Sequence, residues 1–181
     1  MEREAEKRNR AGAGLAGKYL TFRLGAEEYG LEILKVREII GLMNVTPVPR
    51  TPHYIRGVIN LRGKVIPVID LRRRFRMEEV EDTEQTCIIV VEVAAQGEAA
   101  EMGVLVDTVS EVLDIGQTEI QQTPSFGEGI DTDFILGLAK AKGSVKILLN
   151  LEQVLTQQET AEAMSALALA RTEVATGALG G

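Results

Sequence analysis

The sequence predicts a mainly β protein made of two similar small β-barrels with short helices. Three observations predict it. Apolar residues come in short runs, several with a period of two, the signature of half-buried strands. Residues of the first half recur in the same order in the second. Aromatic residues are only 4% of the chain and Trp is absent, so Val, Ile and Leu must fill the core; the first two favour strands.

Residues 1–17 are charged and then Ala/Gly-rich, and read as a disordered arm. In 19–24, Leu20, Phe22 and Leu24 alternate with Tyr19, Thr21 and Arg23, a strand; Gly25 to Glu28 is a turn and Tyr29 to Leu31 a second strand. Ile33, Val36 and Ile40, three and four apart, predict a short amphipathic helical turn. Pro47, Pro49 and Pro52 keep 46–52 extended. Val58 to Leu61 and Val65 to Ile69 flank Arg62-Gly63-Lys64, a hairpin whose Gly63 supplies positive φ. Pro67 lacks an N–H, which places it at a strand edge or bulge. The acidic stretch 77–85 is a surface connection, and strands resume at 86–93, 102–106 and 109–115. Residues 116–134 are loop-like. A second hairpin spans 138–151 around Lys142-Gly143-Ser144. Asn150 then caps a helix, with Gln153 in the reciprocal position. Beyond about residue 160 the tail is an Ala-rich helix former that frays.

The repeat is specific in its order. Tyr29-Gly30-Leu31 returns as Met102-Gly103-Val104, and Val36 to Ile39 as Val109 to Val112, both 73 positions on. Thr46-Pro47 returns as Thr123-Pro124. Gly57, Gly63, Val65, Asp70 and Leu71 return as Gly137, Gly143, Val145, Asn150 and Leu151, all 80 positions on. Two copies of one β-unit account for the series. Closing each sheet into a barrel hides its edges, and two such units packed together would leave a groove for a partner.

Several functions are disfavoured. A net charge of −7 opposes nucleic acid and anionic membranes. Residues 1–10 hold no apolar signal core, and no apolar stretch approaches a membrane span. Cys87 and His53 are single residues of their kinds, too few for a usual zinc site or a disulfide; Cys87, in an apolar run, reads as a buried thiol. Gly12-Ala13-Gly14-Leu15-Ala16-Gly17 spells a dinucleotide fingerprint, but a charged arm precedes it and a strand follows, whereas the fingerprint needs a strand before and a helix after. Arg72-Arg73-Arg74-Phe75-Arg76 is a basic run countered by Glu78, Glu79, Glu81 and Asp82. No catalytic motif is present. Val36, Glu38, Gly57 and Arg62 stand near turns and barrel edges. Each also has an ordinary structural role: core residue, solvated charge or bend.

Glu27 to Ile39, Tyr54 to Gly63 and Val65 to Leu71 together resemble the CheW family, and Met102 to Asp107 and Ile147 to Glu152 extend the match. The resemblance covers about residues 18–157, one CheW-like domain of two pseudo-repeated barrel subdomains sharing a core, with the arm 1–17 before it and a helical or frayed tail 158–181 after it. It implies two five-stranded, Src-homology-3-like barrels packed together. It also implies a cytoplasmic adaptor, without catalysis or cofactor, that couples chemoreceptor hairpin tips to the CheW-like regulatory domain of the histidine kinase CheA, and that tiles rings with its own kind. Its receptor-facing positions fall on Val36, Glu38, Gly57 and Arg62, and a kinase or ring contact falls on Phe126. A coupler of a different receptor–kinase pathway, such as surface motility or development, is the alternative.

Overall fold

The computed structural model describes residues 14–95, 97–124 and 133–155. Most of the expected arm, Phe126 and the expected tail lie outside them. The described chain is mainly β. Strands β1 (Gly17–Leu24) and β2 (Glu27–Glu32) lead through a 3-10 turn, Ile33–Lys35, into β3 (Val36–Gly41). Then come β4 (Ile55–Leu61), β5 (Lys64–Asp70) and the one-turn helix α1 (Leu71–Arg74). β6 (Cys87–Ala95), β7 (Glu98–Val106) and β8 (Thr108–Ile115) follow. A 3-10 turn, Gln117–Glu119, precedes β9 (Ile120–Gln121), β10 (Ile135–Ala141), β11 (Ser144–Leu149) and α2 (Leu151–Val154).

The sequence expectations for β3 and for Pro67 change. The helical turn expected through Ile33, Val36 and Ile40 ends at Lys35, and Val36 begins a strand whose residues alternate between half-buried and exposed. Positions 36 and 40 are an even number apart, so they share a face of a strand as readily as of a helix. Pro67 is not on an edge strand, because β5 lies between β7 and β4. It stands just before β5 begins its parallel pairing with β7 at Val68, and the irregularity in pairing falls in β4, between Ile55 and Gly57.

The chain divides into two compact units. One comprises 14–36 and Thr108–Val154 and carries the sheet β8-β1-β2-β11-β10-β9; the other comprises Arg37–Asp107 with Leu155 and carries β3-β6-β7-β5-β4. The repeated stretches of sequence are therefore not the folded units. Each unit takes two strands from one repeat (β1 and β2, or β6 and β7) and completes its sheet with strands from the other. Replacing each strand by its repeat counterpart turns the order β8-β1-β2-β11-β10 into β3-β6-β7-β5-β4.

The equivalence extends to register. Leu148 pairs with Gly30 in the parallel β11–β2 ladder, and Val68 with Gly103 in β5–β7. Both antiparallel hairpins shift register at the same place, between Ile55 and Gly57 and between Ile135 and Gly137. Both close on a two-residue turn with positive φ at each centre: Arg62 (53°) and Gly63 (84°), Lys142 (50°) and Gly143 (79°). That is the primed turn whose twist matches paired strands.

Each unit has its own aliphatic core. Tyr19, Leu113, Ile115, Ala139, Ala141 and Leu148 cluster in the first; Ile59, Ile66, Val68, Ile88, Val90 and Leu105 cluster in the second. Asp70 caps α1 by accepting from the Arg73 N–H. In α2 the backbone carbonyl of Asn150 accepts from the N–H groups of Gln153 and Val154.

Candidate partner-binding site

β3 is an edge strand of its sheet. Its alternation turns Val36, Glu38 and Ile40 to the half-buried face, and Ile40 packs against the second unit's core. The β4–β5 turn presents Arg62 because the primed geometry holds it in the left-handed region. There it forms a bidentate pair with Glu38: Nη1 to Oε2 at 2.6 Å and Nη2 to Oε1 at 2.9 Å. The side chain of Arg62 is 74% exposed, that of Glu38 28%. Hydrogen bonds from Arg62 hold the Glu38 carboxyl below the usual carboxylate range, partly opposed by desolvation and reinforced by the guanidinium charge. The same hydrogen bonds push Arg62 up. Glu38 and Arg62, opposite in charge, are thus brought together. Val36 opens β3 at the point where the chain passes from one unit to the other.

Gly57 is placed differently from a surface contact. It is buried, with φ 149°. A Cβ there would lie 2.2 Å from the Thr46 carbonyl oxygen and 3.0 Å from Val45 Cγ1. The backbone that Gly57 admits is the protein's own: Thr46 N–H donates to Val58 O at 2.8 Å, and Val58 N–H donates to Thr46 O at 2.9 Å.

The first unit holds counterparts that sequence reasoning passed over. Lys142 Nζ lies 2.8 and 3.0 Å from the two carboxylate oxygens of Glu111, at the repeat positions of Arg62 and Glu38. Gly137 has the Gln121 carbonyl 3.0 Å from where a Cβ would be. The signal was present, since Glu38 aligns with Glu111 and Gly57 with Gly137. It needed the two offsets to be read together across the turn.

The arginine run is occupied by carboxylates. Arg72 grips Asp107 through Nε (2.7 Å) and Nη2 (2.5 Å) and donates to the Glu78 carbonyl. Arg73 Nε lies 2.7 Å from Glu79, and Arg56 bridges Asp70 and Asp82. These groups line a polar hollow of about 340 Å³. Arg74 lies over the Tyr54 ring. Cys87, expected to be buried, is half-buried, and its thiol meets the Gln85 carbonyl. Where the dinucleotide fingerprint would need a helix, β1 begins at Gly17. Among the described residues no cluster of His, Cys, Asp and Glu could hold a metal, and no helix is long and apolar enough to cross a membrane.

The family model for the CheW-like domain matches residues 18–159. The chain belongs to the CheW-like family. Among its relatives, chemotaxis protein CheW of Klebsiella aerogenes is 38% identical over 151 residues, spanning 83% of this chain and 89% of the relative. Protein FrzA of Myxococcus xanthus is 31% identical over 140 residues, spanning 76% and 84%. Among solved structures, the scaffolding protein TtCheW from Thermoanaerobacter tengcongensis superposes with a TM-score of 0.69 at 37% identity, covering 80% of this chain and 95% of that one. The expected fold class, mainly β with two small CheW-type barrels, agrees with this likeness.

Proposed function

We propose that this CheW-like chain is a chemotaxis scaffold that couples the cytoplasmic hairpin tips of chemoreceptors to the histidine kinase CheA. The observation that carries the reading is the CheW-like match over residues 18–159, which takes in nearly every described residue. The relatives named chemotaxis protein CheW and the scaffolding protein TtCheW support it. In this reading the protein is non-catalytic, needs no cofactor or metal, and works in the cytoplasm, recruited to membrane-associated arrays without entering the bilayer. It binds the CheW-like regulatory domain of CheA and makes CheW–CheW ring contacts, with Phe126 as a kinase or ring contact.

A receptor tip is a helical hairpin, and docking of a helix on an apolar strip flanked by charge suits it. Val36 is already half-buried, so covering the rest of it contributes roughly 1 kcal/mol, about half of a full Val burial. The exposed Glu38–Arg62 pair orients the partner and rejects wrong ones rather than supplying affinity.

The test is a pull-down of the purified protein with the CheA regulatory domain and a receptor cytoplasmic fragment. Binding to both is expected. Binding to neither overturns the reading. The match to Protein FrzA, a relative that does not carry the chemotaxis name, favours one second reading: a coupler of another receptor–kinase pathway, such as surface motility or development. Binding to that pathway's receptor and kinase in place of the chemotaxis pair would select it.

A further inference from the structure

Gly57 stands at a receptor-facing position of the proposed site, yet the structure leaves a partner no access to it. It is buried, and the space a side chain would need is filled by the carbonyl of Thr46. Thr46 and Val58 exchange both of their backbone hydrogen bonds in an isolated antiparallel bridge. Val45, next to Thr46, packs against the core formed by Ile59, Ile66 and Val68. Just before it, Leu42 and Met43 are 37% and 36% exposed, large apolar side chains on the stretch that follows β3. The bridge at Thr46 therefore decides where this stretch returns to the sheet. A single missing side chain decides whether the bridge can form.

The same arrangement occurs in the other unit. There β9 pairs with β10 through Gln121 with Leu138 and Ile120 with Ala139. Gly137, the repeat counterpart of Gly57, has Gln121 O at 3.0 Å and Ile120 Cγ2 at 3.1 Å from its would-be Cβ. A crossing segment laid over a glycine at the hairpin bulge is thus part of each unit's construction. Gly57 is the tighter of the two and the one with a left-handed φ.

We infer that Gly57 is a positioning residue that leaves room for the Val45–Thr46 crossing, so that a side chain there removes receptor recognition by displacing that segment rather than by touching the partner. The inference rests on the proposed receptor coupling. Gly137 is its structural counterpart in the other unit, with no part in receptor recognition.

The experiment compares the wild-type protein with Gly57→Ala, Gly137→Ala and Thr46→Pro, the last removing the Thr46 N–H while keeping Gly57. Amide hydrogen exchange at Thr46 and Val58, and at the β6–β7 ladder as a fold control, is measured alongside affinity for a receptor fragment and for the CheA regulatory domain. Gly57→Ala and Thr46→Pro are each expected to weaken receptor binding at least tenfold and kinase binding less than threefold. Gly57→Ala should lose protection at both bridge amides and Thr46→Pro at Val58, with β6–β7 protection intact. Gly137→Ala should keep both receptor binding and bridge protection. Weakened receptor binding by Gly57→Ala with the bridge amides still protected would overturn the inference, because the new methyl would then be meeting the partner. Full receptor binding by Thr46→Pro would overturn it as well, and would still decide the matter if Gly57→Ala failed to fold. Failure of the wild-type protein to bind the receptor fragment would instead refute the proposed function and the receptor part of the inference, while exchange would still decide whether Gly57 holds the crossing.

Discussion

Lys146 is the most deeply buried charge in the described protein, with a side chain 3% exposed. Its Nζ donates to Ala141 O at 2.7 Å and Ser144 Oγ at 2.6 Å, which bracket the Lys142-Gly143 turn, and lies 3.0 Å from Glu28 Oε2. Glu28 is also its register partner in the parallel β2–β11 ladder. Glu28→Gln leaves the cation buried without a counter-ion. Stranding a buried charge costs about 3–5 kcal/mol; Glu28 is 22% exposed, so water softens the penalty toward the lower end, about 3 kcal/mol. For a domain of this size that lowers Tm by roughly 10 °C. Lys146→Met removes the charge and keeps most of the chain volume, so its cost should stay near 1 kcal/mol, and the double variant should resemble Lys146→Met. Thermal and urea unfolding of the three variants measure the cycle. If Glu28→Gln cost no more than Lys146→Met, water would be reaching Nζ and the buried pair would not be holding the β2–β11 register.

Three further outcomes are expected. Glu38→Arg and Arg62→Glu should each weaken receptor binding, and the double swap should restore it; reversing Glu111 and Lys142 in the same way should leave receptor binding unchanged, as competition binding would show. The Glu38–Arg62 contribution should persist above the ordinary carboxylate range and fade as pH falls through the lowered Glu38 value, because protonation removes the acceptor charge; NMR titration of the Glu38 carboxyl checks this. Burial and the neighbouring Glu32 charge push the Tyr19 hydroxyl up to about 12, and it donates to Leu15 O at 2.5 Å. The unfolded chain therefore loses this proton first, so the Tyr19 contribution to stability should be level below pH 10 and be lost between about 10 and 12. Tyr19→Phe should flatten that decline in alkaline unfolding curves.

Most strands were legible because apolar side chains recur with a period of two, as in Leu20, Phe22 and Leu24, although β1 is not half-buried as read: Tyr19 and Thr21 on its other face are buried too. The two hairpins were legible through Gly63 and Gly143. β3 was misread locally because Val36 and Ile40 satisfy both periods; its repeat counterpart, Val109 to Val112, was read as strand and marked the right answer. The opposite charges of Glu38 and Arg62 are compatible with pairing, though only the fold brings them together; Gly57 could not be understood from its neighbours in sequence, because what it makes room for is Thr46.

By itself the sequence determined the β class, the two Gly-centred hairpins, the repeat and the family likeness, all of which depend on local periodicity, turn chemistry and residue order. Only the tertiary structure decided how the repeats are shared. Each sheet joins β2 to β11 or β5 to β7 in parallel, and such a pairing binds strands distant along the chain, whose partner choice leaves no local pattern. The same holds for the crossing over Gly57 and for the arginines gathered around Asp70, Asp82 and Asp107. Steric fit and charge pairing act through space, and residues far apart in sequence come to depend on each other only once the chain has folded.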